Sequence, residues 1–156
     1  MNAKYKLKHD HIEDSEGNFS DAFRPMVPVT ILGDDPENGS DTFAIIDSGS
    51  DGCVLSRDLA EIIGIKVEGK KQYDLDGLGG KGFVKAIKTD ITVLIRYDRD
   101  KFHSVFARRK IQVNVPVDSN LCDQTLILGR SPIFNIFDVF FCCRNDYFEL
   151  RKLTRD

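Results

Sequence analysis

The stretch FAIIDSGSDGCVLS, Phe43 to Ser56, decides how this chain is read. An ionisable residue, Asp47, follows an apolar run and sits inside a tight Ser/Gly turn. Apolar character resumes at Cys53, Val54 and Leu55. The run DTFAIID (41–47) predicts a buried central strand, and CVLS a short extended segment beyond the turn. A carboxylate at that junction has protein on one side and water on the other. One reading is an Asx turn joining two strands. The other is a carboxylate held in place for chemistry. A calcium loop fits poorly. Asp47, Asp51, Gly52 and Asp58 fall in an EF-hand register, but Gly49 stands at a ligand position, Asp58 replaces the usual closing Glu, and no helix precedes it.

Upstream, RPMVPVTILG (24–33) predicts a strand, and Pro28 within it argues for an edge position. DDPENGS (34–40) reads as a loop. Downstream, SRDLAEIIG offers Ser56 as N-cap, Leu59, Ile62 and Ile63 on one face, and Gly64 as the stop of a short helix. KKQYDLDGLGGKGFVKAIKTDITVLIRY then reads as two strand arms around a glycine-rich hairpin tip, marked by Gly77, Gly79, Gly80 and Gly82. RYDRDKFHSVFARRK is a solvated face, followed by a strand from Ile111 to Val117. TLILG (125–129) is a second short apolar run ending in glycine. RSPIFNIF predicts a short helix with Ser131 as N-cap and Pro132 at its first position. DVFFCC and YFELRKL read as closing strands joined by RND. Phe134, Phe137, Phe140 and Phe141 belong to a core or to a dimer interface. Residues 1–22 are polar and mixed in charge, which predicts a mobile N-terminal arm before a domain spanning 23–156. The fold class is therefore mainly β, a closed barrel-like sheet with two short helices.

Bulk properties narrow the function. A chain of 156 residues suits one domain, and 41% hydrophobic with 30% charged residues is ordinary for a soluble protein. A net charge of -3 gives no electrostatic reason to expect nucleic acid as a partner. No apolar run reaches membrane-spanning length, and the first 21 residues lack the apolar region of a signal peptide, so a cytoplasmic location is expected. The four cysteines, Cys53, Cys122, Cys142 and Cys143, contain no C-x-x-C pair and read as reduced thiols. His9, His11 and His103 do not form a ligand set, so neither metal nor cofactor is expected.

Three features stand in order: an apolar strand ending in Asp47-Ser48-Gly49-Ser50, a glycine-tipped hairpin (75–84), and Ile127-Leu128-Gly129-Arg130 before a short helix. In this the chain resembles the retropepsin-like aspartic proteases, the single-domain relatives of pepsin, over residues 24–150. LILGRSPIFNIFDVFF looks especially like the bacterial and archaeal members. The resemblance implies a barrel-like retropepsin fold with one lobe per chain, and aspartic endopeptidase activity without a cofactor. Only one Asp-Ser-Gly is present, since Asp118-Ser119-Asn120 lacks the glycine. The second carboxyl must come from the Asp47 of another copy, which implies a homodimer acting on an extended polypeptide. Two carboxyls sharing one proton supply both a base for water and an acid for the carbonyl oxygen.

The resemblance also implies roles for the neighbours. Ser48 bonds across the dimer, and Gly49 lets substrate backbone approach. Ser50 belongs to the same supporting loop, and Asp51 pairs with Arg130 beneath the site. Gly77, Leu78, Gly79 and Gly80 form a flap whose backbone holds the peptide. Ser131 stands where viral members usually have Asn, and the stretch 96–110 is longer than in compact members. The alternative from another class is a catalytically silent dimeric domain of this fold that binds peptide strands or scaffolds a partner.

Overall fold

Period-two alternation of buried and exposed residues organises most of the chain into strands. The computed structural model describes residues 1–13, 15–35, 37–76, 82–97, 104–118 and 126–153. In chain order its strands are β1 (Asn2–Lys6), β2 (Lys8–Glu13), β3 (Phe19–Arg24), β4 (Met26–Leu32), β5 (Gly39–Ile46) and β6 (Cys53–Leu55). They continue with β7 (Tyr73–Leu75), β8 (Val84–Arg96), β9 (Val105–Pro116), β10 (Leu126–Leu128), β11 (Phe137–Cys142) and β12 (Tyr147–Lys152). Two short helices, α1 (Arg57–Ile62) and α2 (Arg130–Ile133), follow β6 and β10.

Six strands close into a barrel in the order β4-β5-β10-β6-β9-β8, with β8 pairing back onto β4. The frame is the long β8–β9 hairpin, antiparallel from Ala86↔Pro116 to Arg96↔Val105. Ile87, Ile91, Val93 and Ile95 of β8 and Ile111, Val113 and Val115 of β9 are buried along this hairpin. Each such side chain removed from water contributes about 1.5–3 kcal/mol. Among the described residues no helix is long and apolar enough to cross a membrane.

Pro28 does not mark an edge strand. It faces Phe43 of β5, and pairing with β8 begins one residue later, at Val29↔Ile95. The missing N–H therefore falls just before β4 acquires its second neighbour, where no ladder bond is lost. β9 also starts earlier than Ile111, at Val105. Its charged residues hid the pattern. Phe106 and Ala107 are buried, whereas Arg109 is half-buried with its guanidinium 5.9 Å from the Phe137 ring centre.

The first 22 residues differ most from expectation. In place of a mobile arm, they contribute β1 to a three-stranded sheet ordered β1-β12-β11. Ala3, Tyr5 and Leu7 join the core, Tyr5 stacks on Phe148 at 5.2 Å, and its hydroxyl donates to Arg96 O at 2.7 Å. Burial, reinforced by Tyr97, pushes the Tyr5 phenol far above its ordinary range. The signal was NAKYKL itself, a short alternation of apolar residues with Asn and Lys that reads as polar by composition. β2 and β3 form a separate antiparallel hairpin.

Both helices keep their expected places with altered details. α1 is capped by Ser56, whose Oγ accepts from Leu59 N at 3.3 Å, and Gly64 follows in the left-handed region at φ +80°. Its buried face is Leu59, Ala60 and Ile63, while Ile62 is exposed, because a 3.6-residue turn swings Ile62 about 100° from Ile63. α2 is capped by Gly129, not Ser131. Ser131 is extended (φ −102°, ψ 124°), the conformation favoured for a residue before proline. Of the phenylalanines, Phe137 is buried and Phe134 packs against the core, but Phe140 and Phe141 of β11 are exposed.

Candidate active site

The strand order explains why the DSGSDG turn is held so closely. β5 and β6 both pair with β10, one on each side, β5 parallel and β6 antiparallel. The loop joining them, residues 47–52, must therefore cross the C-terminal end of β10. The chain leaving β10 must pass beneath that loop, and it does so as Gly129. A Cβ there would lie 2.1 Å from Gly52 O and 2.7 Å from Ser50 O. Only glycine fits such a backbone approach.

Asp47 is the first residue past β5. Its N–H donates to Leu128 O at 3.1 Å, which fixes it to β10. Its Oδ1 accepts from Gly49 N at 2.8 Å, the Asx-turn bond that the plainer reading of the sequence called for. That turn does not remove the carboxyl from solvent. The residue remains half-buried, and among the described residues no other group bonds its carboxylate. Ser48 and Gly49 are exposed beside it, and Ser50 closes the turn by donating from Oγ to Gly52 O at 2.7 Å.

The stretch after β10 braces this loop. Arg130 N donates to Ser50 O at 2.8 Å and Ser131 N to Asp51 O at 2.9 Å. The expected Asp51–Arg130 ion pair forms, but not beneath the loop, since the two side chains are 87% and 60% exposed. An exposed pair contributes at most about 1 kcal/mol. The two backbone bonds and the Gly129 approach are therefore the main braces. Cys53 lies under the loop, fully buried, with Sγ 3.6 Å from Ser131 O. Burial pushes its thiol up to about 11, outweighing a backbone hydrogen bond from Gly129.

The glycine-rich hairpin also forms at its base. β7 pairs with β8 through Tyr73↔Ala86, Asp74↔Lys85 and Leu75↔Val84. The expected flap residues Gly77, Leu78, Gly79 and Gly80 lie outside the described residues. Among those described, no group of three or more His, Cys, Asp or Glu side chains could hold a metal. Two contributors escaped the sequence reading. Gly129 was visible as part of Ile-Leu-Gly-Arg, but its contact depends on the crossing of β10. Asn114 of β9, whose Nδ2 stands 3.3 Å from where a Gly52 Cβ would be, had no sequence signal.

No family model and no curated protein matches the sequence. Among solved structures, the crystal structure of a retropepsin-like aspartic protease from Rickettsia conorii superposes with a TM-score of 0.55. The match covers 94% of this chain and 95% of that one at 16% identity. The fold is retropepsin-like. EIAV protease complexed with an inhibitor also aligns, with a TM-score of 0.47, 21% identity, and coverage of 72% of this chain and 86% of that one. Within the retropepsin-like fold, the Asp-Ser-Gly turn and the Ile-Leu-Gly-Arg stretch, far apart in sequence, are adjacent here.

Proposed function

We propose that the chain is an aspartic endopeptidase that works as a homodimer. The observation that carries this reading is the carboxyl of Asp47, half-exposed on a loop otherwise braced by backbone bonds. The retropepsin-like fold supports it. A two-fold axis beside the loop brings two Asp47 carboxyls together, and repulsion between like charges makes them hold one proton in common. The ionised carboxyl takes a proton from water as the water oxygen attacks the peptide carbonyl carbon. The protonated one donates to the carbonyl oxygen, giving a tetrahedral gem-diol. Collapse breaks the C–N bond, and the leaving nitrogen takes up a proton. Ser48, exposed next to Asp47, is suited to bond across the two-fold axis. The hairpin from 75 to 84 is suited to cover an extended peptide.

Asp47→Asn tests the proposal. It is expected to lower peptide cleavage by at least about a thousand-fold, while circular dichroism and the mass in solution stay unchanged. Equal cleavage by mutant and wild type removes Asp47 from the mechanism. Peptide binding without turnover at any pH replaces the peptidase with a strand-binding domain of the same fold.

A further inference from the structure

β7 is a three-residue edge strand, and among the described residues it pairs only with β8. Three rungs are thin support for an arm that leads into the glycine-rich tip. A side-chain bond supplements them. The Tyr73 hydroxyl of β7 donates across β8 to Oδ1 of Asn114 on β9. Asn114 stands opposite Lys88 of β8 on one side and Val54 of β6 on the other. Its Nδ2 faces Gly52, the last residue of the Asp47 loop before β6. The Lys88 ammonium lies 4.9 Å from the Tyr73 ring centre, over its face. Burial raises the Tyr73 phenol above its ordinary value. Neither Tyr73 nor Asn114 belongs to the main apolar core.

We propose that Tyr73 and Asn114 are positioning residues that tie the first arm of the hairpin to β9, the neighbour of the strand that follows the Asp47 loop, and so set how the hairpin meets a bound peptide. Neither touches the reacting atoms. The kinetic part of this inference rests on the peptidase reading, whereas the structural part does not. A bond between half-buried neutral groups is worth about a factor of five in an equilibrium. That factor falls on a short edge strand, where it changes local opening more than global unfolding.

The test compares the full-length wild type with Tyr73→Phe, Asn114→Leu and Asn114→Asp by hydrogen exchange. Tyr73→Phe keeps the ring and its contact with Lys88. It is expected to speed exchange of amides 73–76 and 82–86 about five-fold while the melting temperature moves by less than about 4 °C. Asn114→Leu should match it. Asn114→Asp, which retains the acceptor, should restore protection. Equal exchange in all four proteins overturns the tie. On a peptide substrate, Tyr73→Phe is expected to raise KM about five-fold with kcat changed less than two-fold. A fall in kcat at constant KM also overturns it. If the wild type cleaves no peptide, the peptidase reading fails, and the exchange data alone decide whether the tie exists.

Discussion

Gly129→Ala places one methyl group where the loop crossing leaves no room. The added Cβ would stand 2.1 Å from Gly52 O and 2.7 Å from both Gly52 C and Ser50 O, all of them backbone atoms. Reaching an ordinary contact of about 3.4 Å requires the Gly52 carbonyl to retreat by roughly 1.3 Å. Such a retreat pulls on the Arg130 N–Ser50 O and Ser131 N–Asp51 O bonds, at 2.8 and 2.9 Å, and stretches both beyond bonding range. Overpacking costs about 1–3 kcal/mol and each of the two lost bonds about 1 kcal/mol, so a total of about 3–5 kcal/mol is expected. At about 2–4 °C per kcal/mol for a chain of this size, the melting temperature should fall by roughly 6–20 °C. A displacement of that size should also lower cleavage about a hundred-fold in the fraction that remains folded. Gly49→Ala is the control, because its Cβ would meet only the Asp47 Oδ1 tip, at 3.2 Å. It should melt within about 3 °C of wild type. Thermal denaturation followed by circular dichroism decides the matter. A Gly129→Ala protein that melts with wild type, or a Gly49→Ala protein damaged equally, would refute the crossing as the source of the loop's rigidity.

Cys53 should make the fold sensitive to alkali. Its thiol is shifted from 9.0 to about 11 by burial. The contribution to stability is complete below pH 9 and disappears as pH rises to about 11, because the unfolded chain ionises first. The loss amounts to about 2–3 kcal/mol, and urea titrations below and above that window should show it shrink in Cys53→Ala. Ser56→Ala removes the fully buried N-cap of α1. It should lower the urea midpoint by the equivalent of about 1 kcal/mol without changing the slope. No shift in midpoint would mean that solvent or backbone replaces the cap.

The barrel was legible because its strands carry signals that survive in one dimension. DTFAIID and the long arm through Ile95 hold enough β-branched residues to read as strands whatever they touch. Gly64 and Ser56 bound α1 by purely local chemistry. The misreadings arose where the deciding term is non-local. β1 presents only Ala3 and Tyr5 to the core, with Leu7 just beyond it, and its worth lies in a partner, β12, some 141 residues away at Lys6↔Tyr147. Arg109 looked solvated because its charge was counted and its aliphatic stem was not. At the site, the Asp47 turn could be read from its own residues. The bracing by Gly129 and the tie from Tyr73 to Asn114 follow only from the order in which β5, β10, β6, β9 and β8 pair.

That pairing order also limits how a second copy can meet the first in the proposed reaction. β12 is flanked by β1 on one side and β11 on the other, so its whole ladder is used within the chain. A partner cannot add to the terminal sheet by lying against β12. It must use the outer edge of β11 or β1, or pack faces without sharing a sheet. β11 carries Phe140 and Phe141, 47% and 41% exposed, on that outer strand. β1 and the residue after it already complete the core with Ala3, Tyr5 and Leu7, so burial of apolar surface by the chain's own first segment does not wait for a partner. Association then supplies a second carboxyl without having to supply the fold. Folding and activation are separable on this account. Specific activity should fall on dilution over a range where circular dichroism does not change. Loss of structure in parallel with activity would mean that the two copies complete a common core, and that the in-chain β1–β12 pairing is not enough to hold one chain folded.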